Sequence, residues 1–167
     1  DETSSFVYSA DGKTLHVVAP ASTLAEIKMP FNEIAPYAAY KAANLVNIDF
    51  GAECQTWGDY CLAETGVKTL SLSGTIGRYV AKGSALESLT VDHAEVPFGV
   101  AMDCKNLTDV KFLKGITVVK QDAFNGCSSL ATLDLGKLLA ILEANCFANS
   151  GIKTLNVGAA VPALSLI

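Results

Sequence analysis

Charge is scarce in this chain, and basic charge scarcer still. Only 17% of its 167 residues are charged, against roughly a quarter in an average soluble domain. The 12 Lys and Arg are outnumbered by 17 Asp and Glu, leaving a net charge of −5. That balance argues against a nucleic-acid backbone or an anionic membrane as the main partner. No apolar run approaches the roughly 20 residues of a membrane-spanning helix. The start shows no charged segment followed by an apolar one, so a secretory signal is expected to be absent or already removed, and the polar opening Asp1 to Ser5 suits a mature or engineered terminus. No C-x-x-C occurs, and the two histidines, His16 and His93, lie far apart, so a metal cluster has no support. Neither histidine has a Ser or Cys nucleophile with a partner nearby, and both are read as surface or edge residues. Gly74 and Gly77 do not form a G-x-x-x-x-G-K-[ST] loop, which removes the usual basis for a nucleotide site. No cofactor, metal or catalytic residue is expected.

Apolar residues, by contrast, are abundant at 50%, and the length suits one domain with a sizeable core. Their order decides the fold. A pattern L-x-x-L-x-L, with Leu, Ile, Val, Met or Phe at each anchor, recurs seven times. The anchors are Leu24/Ile27/Met29, Leu45/Ile48/Phe50, Val67/Leu70/Leu72, Leu86/Leu89/Val91, Leu107/Val110/Phe112, Leu130/Leu133/Leu135 and Ile152/Leu155/Val157. First anchors follow one another at steps of 21, 22, 19, 21, 23 and 22 residues, inside the roughly 20 to 29 of leucine-rich repeats. On a strand whose second and third anchors point inward, the residue before each must point outward. Those fourteen positions are Glu26, Lys28, Asn47, Asp49, Thr69, Ser71, Ser88, Thr90, Asp109, Lys111, Thr132, Asp134, Thr154 and Asn156, and none is apolar.

Seven short strands returning in one orientation must pair in parallel, giving a solenoid whose sheet is on the order of 33 Å long. The expected fold is therefore an α/β repeat: a right-handed leucine-rich-repeat solenoid with a parallel sheet of about seven short strands, little regular helix and an N-terminal hairpin cap. The returning segments carry their own apolar anchors at Ile34, Trp57, Ile76, Val119 and Leu142. A small residue then precedes a large one, as in Ala39-Tyr40, Cys61-Leu62, Ala123-Phe124 and Cys146-Phe147. Short helical or 3₁₀ turns with some extended backbone are expected there, because about ten residues leave no room for a long helix.

The run Val119-Lys120-Gln121-Asp122-Ala123-Phe124-Asn125-Gly126-Cys127-Ser128-Ser129-Leu130 resembles the BspA-like leucine-rich repeats of bacterial surface proteins, in which A-F and then G-C-S-x-L or N-S-G-L precede a short strand. The likeness covers about residues 19 to 167 and is clearest from Asn106 onward. Earlier rungs depart from it, with Leu62 and Met102 where Phe is usual and Gly83 in place of Cys. The resemblance implies an extracellular or cell-surface location and a role in adhesion or host contact.

Residues 1–18, with Phe6 to Ser9 and Leu15 to Val18 flanking an Asp11-Gly12 turn, read as an N-terminal capping hairpin, and 19–167 as one continuous solenoid. The end, Val161 to Ile167, stops in mid-pattern without a polar cap, as expected of a cut from a longer protein or of an edge covered by a partner or a second copy. The five cysteines are odd in number. Cys104 and Cys127 each lie three residues before a first anchor and should stack inside adjacent rungs, and all five read best as buried thiols. A Cys54–Cys61 bridge is the alternative.

What remains for function is the outward sheet face. Lys28 with Asp49, and Lys111 with Asp134, occupy matching places on neighbouring rungs and could bridge across the ladder. No aromatic residue lies there, which weakens a sugar-stacking site. The face is expected to bind a protein or extracellular-matrix component, with no nucleic acid and no membrane insertion. A rigid spacer within a longer surface protein is the second reading, and a carbohydrate-active enzyme on a parallel β-helix a remote third.

Overall fold

A computed structural model of the chain describes residues 6–158 and the backbone of 165–166. The sequence period appears directly as a coil of stacked rungs, each contributing one strand to a front sheet and a shorter one to a back ladder. The front strands are β3 (Glu26–Lys28), β5 (Asn47–Asp49), β7 (Thr69–Ser73), β9 (Ser88–Asp92), β11 (Asp109–Phe112), β13 (Thr132–Gly136) and β15 (Thr154–Val157). The back strands are β4 (Glu33–Ile34), β6 (Thr56–Trp57), β8 (Thr75–Ile76), β10 (Glu95–Val96), β12 (Val118–Val119), β14 (Ile141–Leu142) and β16 (Ser165–Leu166). All pairings among them are parallel.

Alternation explains the burial. Of the 21 anchors thirteen are buried and seven half-buried, and Val157, on the last described front strand, is the one left exposed. Between the two ladders lies one continuous apolar cluster from Leu15 to Cys146. The expected back anchors Ile34, Trp57, Val119 and Leu142 are buried and Ile76 is half-buried; Val96 fills the same place in the remaining rung. At the start, β1 (Phe6–Tyr8) pairs antiparallel with β2 (Thr14–Val18) around the Asp11-Gly12 turn. This hairpin continues the back ladder through β2 and β4, covering its first edge and leaving the front sheet to begin at β3. The uncapped end expected at Val161 to Ile167 lies outside the described residues, apart from the backbone of β16.

The little helix expected becomes none among the described residues. The returns are turns in which two residues per rung, four apart, take left-handed backbone: Tyr37 and Lys41, Tyr60 and Glu64, Tyr79 and Gly83, Gly99 and Asp103, Asp122 and Gly126, Asn145 and Asn149. A right-handed helix cannot run through such residues. Their N–H groups point to the next rung instead. Tyr37, Ala39 and Lys41 donate to the carbonyls of Asp59, Cys61 and Ala63, and the same threefold set recurs at every step through Asp122, Phe124 and Gly126, which donate to Ala144, Cys146 and Ala148. The fifteen bonds over five steps measure 2.7–3.2 Å. This turn row is thus a third hydrogen-bonded ladder.

Along it the rings of Tyr37, Tyr60 and Tyr79 stack at centroid distances of 5.2 and 4.9 Å, and Phe98 closes the series edge-on at 5.3 Å. Their faces are spent on one another, so the row stabilises the turns and presents ring edges to solvent. It stops at Gly99, over which the Tyr79 ring lies: a Cβ there would stand 2.3 Å from Tyr79 Cδ1.

Buried thiols line the inner side of the same turns at Cys61, Cys104, Cys127 and Cys146, and Cys54 is buried in the loop before β6. All five cysteines are buried and unbridged. Cys104 and Cys127 stack on adjacent rungs as their spacing requires, each donating its S–H to a carbonyl of the preceding rung, Ala81 and Ala101, at 3.0 Å. Burial pushes the thiols of Cys54, Cys104 and Cys146 up to about 11, and those of Cys61 and Cys127 higher still.

Candidate functional site

All fourteen sequence-selected positions face outward from the front sheet, exposed except for half-buried Ser88 and Thr90 at its centre. The face is not one unbroken ladder. Hydrogen-bonded pairing forms three blocks, β3–β5, β7–β9–β11 and β13–β15. A cleft opens at each interruption. Between β5 and β7 a cavity of about 180 Å³ brings together Asp49, Thr69 and Ser71 over Trp57, whose indole N–H donates to the Ser73 carbonyl at 3.1 Å. Between β11 and β13 a cavity of about 300 Å³ brings together Lys111 and Asp134, with Lys114 beside them. The other nine positions line neither cleft.

The cross-rung ion pairs expected on this face do not form. Lys28 stands opposite Asp49 in register, yet its ammonium meets Glu26 of its own strand at 3.1 Å. Lys111 likewise meets Asp109 at 3.7 Å. The cause is local: Asp49 and Asp134 each accept the N–H of the residue two positions on, Gly51 at 3.1 Å and Gly136 at 2.9 Å, and so are held at the strand end. An exposed lysine gains little from either partner, and the same-strand carboxylate is the one in reach.

The back ladder has one interruption, between β8 and β10, and it has an identifiable cause. At the other steps whose donor is described, the residue after a back strand donates to the second residue of the strand before it, as Gly58 to Ile34, Gly77 to Trp57, Lys120 to Val96 and Glu143 to Val119. At this step the donor's place is taken by Pro97, which has no N–H. Glu95 N–H, which would make the neighbouring bond, turns instead to Nδ1 of His93 at 3.1 Å. The strands part, and a cleft of about 230 Å³ opens, lined by Ile76, Gly77, Arg78, His93, Glu95, Pro97, Phe98 and Lys120. Lys120 sits 2.7 Å from the Glu95 carboxylate, and this hydrogen-bonded charge holds the Glu95 carboxyl below its ordinary range. The sequence marks His93 only as a surface or edge residue and singles out neither Arg78 nor Lys120; the signal it holds is Pro97 at a position that must donate.

Among the described residues no group of three or more His, Cys, Asp or Glu could hold a metal ion, and no helix is long and apolar enough to cross a membrane.

A parallel solenoid of some seven turns, about 21 residues each, with polar front and apolar interior, defines a leucine-rich-repeat protein. The sequence matches the BspA type leucine rich repeat region in six copies, over residues 20–99 and 94–165, and the chain belongs to that family. Among solved structures it is similar to a leucine-rich repeat protein of Eubacterium ventriosum, with a TM-score of 0.71 and 21% identity over 89% of this chain and 49% of that one. A leucine-rich repeat protein of Bacteroides ovatus gives a TM-score of 0.67 at 22% identity, over 93% of this chain and 48% of that one. A leucine rich cell surface protein of Faecalibacterium prausnitzii gives 0.59 at 17% identity, over 93% and 38%. At these identities the likeness is one of fold. The chain spans about half the length of the first two and less of the third. No match was found among curated proteins.

Proposed function

We propose that this chain is a non-enzymatic module of a cell-surface or secreted protein, and that its front sheet binds a protein or extracellular-matrix partner. The observation that carries the reading is the face itself: fourteen outward side chains in matching places on seven rungs, none apolar, with one cleft lined by Asp49 and Ser71 and another by Lys111 and Asp134. Such a surface offers area and polar complementarity, the terms that govern transient recognition and association rate. Family membership and the surface-protein description of the Faecalibacterium neighbour support the location. The two clefts mark where a partner side chain can enter an otherwise flat ladder.

Binding to a panel of purified matrix proteins (collagen, laminin and fibronectin), measured on a biosensor with the D109N/K111M/D134N triple variant, tests the reading. A bound partner should lose affinity by about tenfold or more, as expected when several interfacial charges are removed. Affinity unchanged in that variant removes the front face from consideration.

A further inference from the structure

We propose that the back cleft at the β8–β10 interruption binds the carboxylate of a small acidic ligand. It lies on the opposite ladder from the face invoked above and stands or falls independently of that reading.

The first ground is charge. The chain carries a net charge of −5 and a single arginine, and that arginine, Arg78, lines this cleft together with His93 and Lys120. The one carboxylate in the lining, Glu95, is held by Lys120 at 2.7 Å, so those two charges offset each other. Among the described residues Arg78 makes no ion pair; the nearby carboxylate of Asp59 accepts its backbone N–H at 2.7 Å, which fixes the main chain and leaves the guanidinium available.

The second ground is preorganisation. The Arg78 guanidinium carbon sits over the Phe98 ring at 5.3 Å from its centre. A guanidinium steadied on an aromatic face keeps its fork of N–H donors for a bidentate acceptor, the geometry that suits a carboxylate. The His93 ring is steadied too. Its Nδ1 lies 3.1 Å from the Glu95 nitrogen and 3.0 Å from the Glu95 carbonyl oxygen, so the ring is held on that peptide and Nε2 stands outside both contacts.

The third ground is the backbone. In the other rungs the N–H and C=O of the second back-strand residue turn to the next strand; at Ile76 that strand has parted and Pro97 cannot donate. The lining therefore includes an unpaired peptide group beside the cations, a feature that polar ligands satisfy. About 230 Å³ admits an acidic monosaccharide or the last residue or two of a peptide. Both present the same chemistry: a carboxylate for Arg78 and adjacent polar atoms for Ile76.

Titration of the isotope-labelled full chain, followed by amide chemical shifts, tests the site. The probes are glucuronate against neutral glucose, N-acetyl-alanyl-alanine against its amide, and inorganic phosphate. An acid should shift the amides of Ile76, Gly77 and Arg78 while its neutral counterpart does not. Response to glucuronate alone assigns the ligand to acidic sugars, response to the dipeptide acid alone assigns it to peptide C termini, and response to both assigns it to carboxylates at large. R78Q should weaken the binding about tenfold, as for loss of a charge-assisted bidentate pair, with R78K intermediate and the unfolding midpoint of both variants unchanged. No shift with either acid, equal binding of the neutral probes, phosphate binding as tightly as the acids, or wild-type affinity in R78Q would each overturn the proposal.

Discussion

The turn row and the two strand ladders share the same rungs but differ in continuity. Each of the five steps from Tyr37 to Gly126 carries three turn-row bonds of 2.7–3.2 Å, without a gap. The front sheet parts twice and the back ladder once. The breaks are also staggered: where β5 parts from β7, β4, β6 and β8 remain paired behind; where β11 parts from β13, β12 and β14 do; where β8 parts from β10, β7 and β9 remain paired in front. No step loses both ladders. The row of turns is thus the spine of the solenoid, and the strands are free to separate locally and open clefts without cutting the molecule in two.

Breaking the spine should have the largest effect. Ala101 is buried and its N–H donates to the Ala123 carbonyl at 3.0 Å, in the middle of the row. Ala101→Pro removes that donor and is expected to cost about 3 kcal/mol or more, read as a lowered denaturant midpoint. Pro97, at the gap in the back ladder, shows that the strand ladders tolerate the same loss.

A smaller effect sharpens the role of the tyrosine stack. Gly99 and Gly12 both have left-handed backbone, with φ of 57° and 72°, but a Cβ at Gly12 meets nothing within 4 Å while one at Gly99 meets the Tyr79 ring. Gly12→Ala should cost about 1–2 kcal/mol from backbone strain alone. Gly99→Ala should cost about 1–3 kcal/mol more, because the Tyr79 ring must leave its stack. Equal losses in thermal unfolding would mean that the stack has no part in the spine.

The smallest effect concerns the ion pair at the back gap. Glu95 titrates below its ordinary 4.5 because Lys120 donates to its charged form. Its contribution to stability is therefore present above about pH 4.5 and is lost as pH falls through the lowered folded value. Both side chains are some 40% exposed, so the pair contributes less than about 1 kcal/mol. Lys120→Met should remove that part of the acid dependence and nothing else, as followed by denaturation at pH 3 to 7.

The strands and the wet face were legible in the sequence because burial on one side of a strand imposes a period of two, and stacking imposes one near 21. Leu70, Leu72, Leu89 and Val91 can occupy no other side of β7 and β9. Charge pairing was not legible, since Lys28 chooses between Glu26 and Asp49 at a difference too small for a pattern to record. Nor was the turn row, because tyrosine is a rare occupant of left-handed backbone and Tyr37, Tyr60 and Tyr79 carry no local mark of it. The back cleft draws Arg78, His93 and Lys120 from three successive rungs, and only Pro97, in a column of donors, betrays the gap that brings them together.

Amide hydrogen exchange, read residue by residue, tests the spine most directly. Exchange should be slowest at Ala39, Leu62, Ala81, Ala101 and Phe124, and fast at Ile76 relative to its counterparts Ile34 and Val119. Turn-row amides that exchange as fast as Ile76, while the strand amides stay protected, would contradict that order.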